Sequence, residues 1–226
     1  MESLVIRPFT PSDQDRVTEI FIDWNRHLAT PETADAFEAY IRRSIDDEIG
    51  RIPDYYQAHP KSGFWVAETD AKTGGGVVAG MVGIERLSDD EAEVRRMYVD
   101  SGWRRRGIGS RLLAHAENFC AGAGYARIVL STSALQEAAK ALYEARGYRL
   151  VRQVVADEQT NRTVGGGIRR YHYVKELQSR PVRPACQANA GWISASPSVG
   201  KMYSGAGKRR SGPKWMVSRL RRSGPK

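Results

Sequence analysis

The chain is poor in the residues that announce a cross-linked or metal-bearing scaffold. Its 226 residues include only two cysteines, Cys120 and Cys186, and four histidines, His27, His59, His115 and His172. Two distant thiols make no disulfide framework and suit a reducing compartment. The histidines show no His-x-x-x-His pair and the cysteines no ligand spacing, so zinc chemistry has no ligand set and no metal is expected. Long apolar runs are missing too: none approaches the ~20 residues of a membrane span, and the opening "MESLVIRPFT" lacks the basic-then-apolar order of a signal peptide. A soluble cytoplasmic protein without membrane contact is expected. Acidic residues are absent from one end only. From Gln178 onward there are 11 Lys and Arg and no Asp or Glu, whereas residues 1–177 hold 24 basic against 26 acidic side chains, a net of −2. The formal charge of +9 therefore belongs to the end segment, and any nucleic-acid partner is expected to bind there and not on the domain.

What is present divides the chain into an alternating domain over residues 1–177 and a basic tail over 178–226. The tail is rich in Ser, Gly and Pro, repeats "RRSGPK", and is expected to be disordered. In the domain, "LVIRPF" reads as a strand and "TPSDQDRVTEIFIDWNRHLA" as a helix with Thr10 as N-cap, Pro11 at the first position and Asp13 at the third. Residues 31–60 continue helically, with Phe37, Tyr40, Ile41, Ile45 and Ile49 at near-helical spacing. "FWVAETD", "VVAGMVGIERL" and "EAEVRRMYVD" form an antiparallel meander, the first pair joined by a Gly74-Gly75-Gly76 turn. A helix with Ile108, Leu112, Ala116 and Phe119 on its apolar face follows, then the buried strand "ARIVLSTS", the helix "LQEAAKALYEARG", and a hairpin of "YRLVRQVV" and "GIRRYHYVKEL". The order βααβββαβαββ predicts an α/β (α+β) mixed sheet, mostly antiparallel, with helices on both faces and one central β-α-β unit.

The stretch "GWRRRGIGSRLL" lies between the meander's last strand and the following helix. A helix start leaves several N–H groups unpaired and carries partial positive charge, and glycines at 107 and 109 remove side chains from the approach. The amides of Arg104, Arg105, Arg106, Gly107, Ile108, Gly109 and Ser110 are thus expected to cradle a pyrophosphate, with the guanidiniums adding charge. Cys120, farther along the helix, reads as a core residue and not a nucleophile.

Arg104-Arg105-Arg106-Gly107-Ile108-Gly109 fits Gln/Arg-x-x-Gly-x-Gly/Ala directly after a strand and at a helix start. With the order of elements, it resembles the GNAT superfamily of acetyl-CoA-dependent N-acetyltransferases over about residues 3–177. That resemblance implies acetyl-CoA as cosubstrate, with its pantetheine arm bonded to the backbone of Met97 and Val99 as an added strand. It also implies polarisation of the thioester carbonyl by a main-chain N–H near Met97, and direct transfer to an amine without a covalent acetyl-enzyme. Tyr143, in "STSALQEAAKALYEARGYR", takes the place of the tyrosine that protonates the leaving thiolate in many members, a reasonable donor with an ordinary pKa near ~10. Gln136 stands where many members have an Asn that contacts the cofactor. Glu93 takes the place of the general base of several members, and period-two alternation puts it on one face with Met97; pairing with an arginine such as Arg95, and proton transfer through water, are the other readings.

Acceptor pockets in this superfamily come from the first helices and the last hairpin loop, here "WNRHLATPETADAF", "IPDYYQAHPKSGF" and "ADEQTNRTVGGG". Asp54, Tyr55 and Tyr56 form the candidate amine-receiving cluster, a carboxylate with enclosing rings; a loop packed by two tyrosines is the other reading. "GFWVAE" and the Tyr143 segment look similar to camello-like members, some of which acetylate the α-amine of cysteine conjugates. The expected acceptor is a primary amine of a small, amino-acid-like molecule. Peptide or protein amines, or a nucleic-acid-associated acyl-CoA-binding role through the tail, are the alternatives, and a homodimer is an expected assembly.

Overall fold

The computed structural model describes residues 4–69 and 76–177; the tail and most of the Gly74–Gly76 turn lie outside them. The elements follow the expected order. Strand β1 (Leu4–Pro8) leads through a 3-10 turn into α1 (Gln14–Leu28), α2 (Ala34–Asp47) and a one-turn α3 (Ile52–Tyr56). The meander β2 (Gly63–Thr69), β3 (Val77–Arg86) and β4 (Glu91–Val99) precedes α4 (Ile108–Gly122), β5 (Arg127–Ser133), α5 (Glu137–Ala145), β6 (Arg149–Ala156) and β7 (Ile168–Glu176). At the first helix, Thr10 donates from both its amide and its hydroxyl to Asp13 Oδ2, at 2.8 and 2.9 Å, which fixes the turn before α1.

The seven strands form one sheet in the order β1-β2-β3-β4-β5-β7-β6. Every pair is antiparallel except β4–β5, the product of the crossover through α4. The sheet is buried on both faces, as β2 displays most plainly. Its Phe64 and Val66 pack with Phe21, Ile41 and Tyr56 from α1–α3, while Trp65 and Ala67 pack with Leu112, Ala116 and Cys120 of α4. Helices α1–α3 thus cover one face and α4–α5 the other. Burial pushes the Cys120 thiol up to about 12, so it stays a protonated core group.

Two irregularities at the centre of the sheet matter for function. First, β4 and β5 are paired only from Glu91↔Arg127 to Val94↔Leu130, although both strands run several residues further. Beyond Val94 they part, and the edge of β4 from Arg95 to Val99 has no ladder partner on the β5 side. Second, β4 carries a bulge: Gly83 pairs with Arg95 and Met81 with Tyr98, so the single Val82 stands opposite both Arg96 and Met97. Arg96 has the left-handed φ of 49°, a conformation that costs a non-glycine residue about 1–3 kcal/mol and is held by its surroundings.

Candidate active site

The bulge overturns one expectation at once. Alternation would place Glu93 and Met97 on one face, but the extra residue inverts the pattern between them. Val94, Met97 and Val99 turn to the α4 side, whereas Arg95, Arg96 and Tyr98 turn to the α1–α3 side, where both arginines bond to Glu48 and Tyr98 packs with Phe21. Glu93 lies on that second face, its carboxylate paired with Arg162 and not with the anticipated Arg95. Both Glu93 and Met97 nevertheless line the same cleft, of about 100 Å³, because the parting of β4 and β5 opens a passage through the sheet.

On the α4 side of the passage the parts are mostly main chain. Gly107 caps α4 with φ 77°, and a Cβ there would meet nothing within 4 Å, so glycine is required for its dihedral alone. A Cβ on Gly109 would touch only Leu142 at 3.6 Å and Val99 at 3.8 Å, both ordinary contacts. Protein packing therefore does not demand glycine at 109, and its small size leaves room in front of the helix start. The Gly107 carbonyl accepts from the Arg111 amide at 3.1 Å, while the amides of Ile108, Gly109 and Ser110 sit in the first turn, where a helix supplies no acceptor. Arg105 also has a left-handed φ, of 60°. The flanking charges are held against rings: the Arg104 guanidinium lies 4.0 Å from the Trp24 ring centre and that of Arg106 lies 4.7 Å from Trp103. Unpaired amides, an open front and fixed positive charge suit a diphosphate, so the residues present fit the group that the motif implies.

Tyr143 and Gln136 bring α5 to the passage. Tyr143 is buried, ringed by Tyr148 and Tyr173 at 5.9 Å between ring centres, and burial pushes its hydroxyl well above the ordinary tyrosine range. It therefore keeps its proton at neutral pH. The Gln136 side-chain carbonyl accepts from the Thr132 hydroxyl at 2.6 Å, fixing the turn from β5 into α5.

The opposite side of the passage is built from charged side chains, among which Glu93 and Arg95 were expected near the site and Glu48, Glu85, Arg96 and Arg162 were not. Glu48 is fully buried and accepts from Arg95 Nη2 at 2.7 Å, Arg96 Nε at 2.8 Å and the Tyr56 hydroxyl. Arg95 also reaches Glu85 at 2.6 Å, Arg162 bridges Glu85 and Glu93, and the Asn161 carbonyl accepts from Arg96 at 2.7 Å. The only forewarning was an arginine pair inside the buried strand "EAEVRRMYV"; Glu48 and Arg162 carried none, because their partners are distant in sequence.

The Asp54-Tyr55-Tyr56 cluster does not form. Asp54 points away, exposed beside Arg51, whereas the Tyr55 and Tyr56 rings pack 4.9 Å apart and join one network, Tyr55 accepting from Arg95 at 2.9 Å and Tyr56 bonding to Glu48. None of the three lines the cleft. Among the described residues, no three His, Cys, Asp or Glu side chains are grouped to hold a metal ion, and no helix is long and apolar enough to cross a membrane.

The sheet is thus parted at its centre, with a helix start beside the free edge of β4 and charged groups across the cleft. The profile of the Acetyltransferase (GNAT) family matches residues 8–148, and the chain belongs to that family. It is 35% identical to human N-acetylaspartate synthetase over 111 residues, 49% of this chain and 35% of that protein. It is 31% identical to human N-acetyltransferase 8 over 110 residues, 49% of this chain and 48% of the other. The matches thus span about half or less of those relatives. Among solved structures, a GNAT-family acetyltransferase from Staphylococcus aureus Mu50 superposes with a TM-score of 0.59 at 18% identity, over 78% of this chain and 100% of that one. The PaiA N-acetyltransferase from Thermoplasma acidophilum, in complex with coenzyme A, gives 0.58 at 19% identity over 77% and 99%. These likenesses establish the fold.

Proposed function

We propose that the protein transfers an acetyl group from acetyl-CoA to the primary amine of a small, amino-acid-like acceptor, by direct attack while both are bound. The observation that carries this reading is the passage between β4 and β5, where the free edge of β4 at Met97 and Tyr143 of α5 share one cleft with a charged pocket of Glu93, Arg95, Arg96 and Arg162. The coenzyme A bound to the Thermoplasma neighbour, and the amino-acid product in the name of the human synthetase, lend it support.

When bound, acetyl-CoA supplies an activated acyl carbon and a thiolate leaving group. Amides 108–110, with Gly107 setting the turn and Gly109 clearing the approach, hold the diphosphate, and the free edge of β4 at Met97 and Val99 pairs with the pantetheine amides. An N–H of that edge donates to the carbonyl oxygen as negative charge develops there. Tyr143 gives its proton to the departing sulfur. Glu93 takes the proton of the attacking amine, directly or through water, once Arg162 has given up its carboxylate. Gln136 holds the turn beneath the reacting groups.

The deciding experiment is a screen of amines with acetyl-CoA, read by release of free thiol. Thiol released in step with acetylated amino acid is expected; release no faster than acetyl-CoA hydrolysis with every amine would sink the reading. Residues 1–177 are proposed to suffice, since they hold every group named above. Calorimetric titration of that segment with acetyl-CoA is expected to match the full chain.

A further inference from the structure

The charges of the acceptor-side pocket do not cancel. Three carboxylates, Glu48, Glu85 and Glu93, are matched by three guanidiniums, Arg95, Arg96 and Arg162, in one continuous set of ion pairs. A fourth guanidinium, that of Arg170, lines the same cleft. Arg170 is half-buried, its Nη2 donates to the Ser131 hydroxyl at 2.5 Å, and among the described residues no carboxylate lies within ion-pair distance of it. Strand geometry holds it there: Arg170 pairs with Ser133 on β5 and Val154 on β6. Its neighbour Tyr171 packs toward the α4 side, so Arg170 points to the acceptor side. A guanidinium drawn partly out of water beside other arginines is costly unless an anion meets it; burial weakens its hold on its own proton, although Tyr40, Tyr98 and Glu93 act in the opposite direction.

We infer that Arg170 selects the acceptor by receiving its carboxylate, so that the substrates are amino acids or other amines bearing a carboxylate within reach of the transfer point. This rests on the acetyl-transfer reading and deepens it. One planar guanidinium flanked by one hydroxyl matches a singly charged carboxylate, which it can grip through two parallel N–H bonds. Arg95 and Arg96 are engaged by Glu48, Glu85, Asn161 and the Tyr55 and Tyr40 hydroxyls, and Arg162 by Glu85 and Glu93, so in the resting site Arg170 is the guanidinium of the cleft without a carboxylate partner among the described residues. The Ser131 bond fixes the guanidinium plane before the ligand arrives and lowers the entropy lost on binding.

The test compares matched acceptors that differ only at the carboxylate: the common amino acids and their carboxamides, with acetyl-CoA and the full chain, as kcat/KM. The wild type is expected to favour the acid of each active pair by about 10-fold or more, a loss in keeping with an unpaired charge-assisted site. Arg170→Gln should bring that ratio to near one by lowering the acid's value while leaving the amide's, and Arg170→Lys should restore part of it. Equal use of acid and amide by the wild type, a ratio that survives in Arg170→Gln, or a preference for O-phosphoethanolamine over every amino acid would overturn the inference while leaving acetyl transfer in place. A second arm does not depend on turnover: calorimetric titration with N-acetyl amino acids. If no amine is acetylated, the acetyl-transfer reading is what fails. Arg170-dependent binding of the N-acetyl amino acids would still support carboxylate recognition, whereas binding that is absent or indifferent to Arg170→Gln would overturn it.

Discussion

The two mouths of the passage are made of different material. On the α4 side the functional groups are main-chain amides and the free edge of β4, set by dihedral angles at Gly107 and by local pairing, and side chains withdraw from the site. On the α1–α3 side, side chains fill it: Glu48, Arg95, Arg96 and Arg162, with Glu85 and Glu93, are held by one another, and Arg170 is held by the Ser131 hydroxyl. A backbone-built site can lose its ligand without losing the fold, because the groups it uses are the unpaired ends of a helix and a strand. A side-chain network that is itself buried cannot be cut so cleanly, since each removed charge leaves a partner stranded in the interior. Substitutions on the first side should therefore register in binding, and those on the second in stability.

The largest effect is expected at Glu48. Glu48→Gln strands two buried guanidiniums and should cost about 3–5 kcal/mol of unfolding free energy, measured by urea denaturation. Burial alone would raise the Glu48 pKa, but the hydrogen bonds and charge of Arg96 and the charge of Arg95 outweigh it and hold the carboxyl below the usual range. A depressed folded pKa contributes stability that is present above the unfolded value, about 4.3, and is lost as pH falls through the folded one. The wild type should thus lose stability below about pH 4 more steeply than Glu48→Gln. A Glu48→Gln protein as stable as wild type, with the same acid limb, would break the contrast between the two sides.

Gly109→Val probes the other material. The new side chain begins in ordinary contact with Leu142 and Val99, so the melting temperature should move little. It stands in front of the helix amides, so acetyl-CoA affinity should fall by about 3 kcal/mol, roughly 10²-fold, in calorimetric titration. A folded Gly109→Val chain with unchanged affinity would remove the amide cradle from the account.

The same contrast explains how far the sequence could be read. Strand and helix order, the helix start at Gly107 and the burial of Cys120 follow from local periodicity and turn chemistry, which act over a few residues and leave their mark in consecutive letters. The acceptor side depends on contacts such as Arg96 with Glu48, 48 residues apart, and Arg162 with Glu93, 69 apart, which no local pattern encodes. The bulge at Arg96 belongs to the same class. It needs an extra residue opposite Val82 and a left-handed arginine stabilised from afar, so simple alternation put Glu93 and Met97 on one face. Asp54, Tyr55 and Tyr56 are adjacent in sequence, yet the helical turn sends Asp54 to solvent while the two tyrosines pack together on the Glu48–Arg95 network.

Tyr143 belongs to neither material: it is one side chain whose hydroxyl is tuned chiefly by burial, with Tyr98 and Tyr173 adding to the shift. Tyr143→Phe keeps the ring contacts with Tyr148 and Tyr173 and deletes the proton, so turnover should fall by ~10²-fold while acetyl-CoA affinity stays within error. The raised pKa gives a second readout. The donor form should persist well beyond the ordinary tyrosine range, so the wild-type single-turnover rate should show no loss through pH 10 from this group. Full single-turnover rates in Tyr143→Phe would send the search for the acid elsewhere.

The smallest effect, and the one that bears most directly on the contrast, concerns Glu93. It sits where the two sides meet, and its carboxylate is bound by Arg162 of the β6–β7 loop. As a base, it matters only while the acceptor is protonated. Glu93→Gln should then cost about 10-fold in single-turnover acetyl transfer near neutral pH, and the deficit should shrink toward pH 10, where the free amine is already abundant. As an anchor for the loop it acts through position, and the deficit should be the same from pH 6 to 10 and fall on KM more than on kcat. Arg162→Gln separates the two further. Freeing the carboxylate from its guanidinium should spare or raise the neutral-pH rate if Glu93 accepts the proton, and should reproduce the flat Glu93→Gln deficit if the pair serves to hold the loop. The first outcome would make Glu93 the point where the charged side of the passage does chemistry; the second would confine that side to recognition and leave proton transfer to water at the free edge of β4.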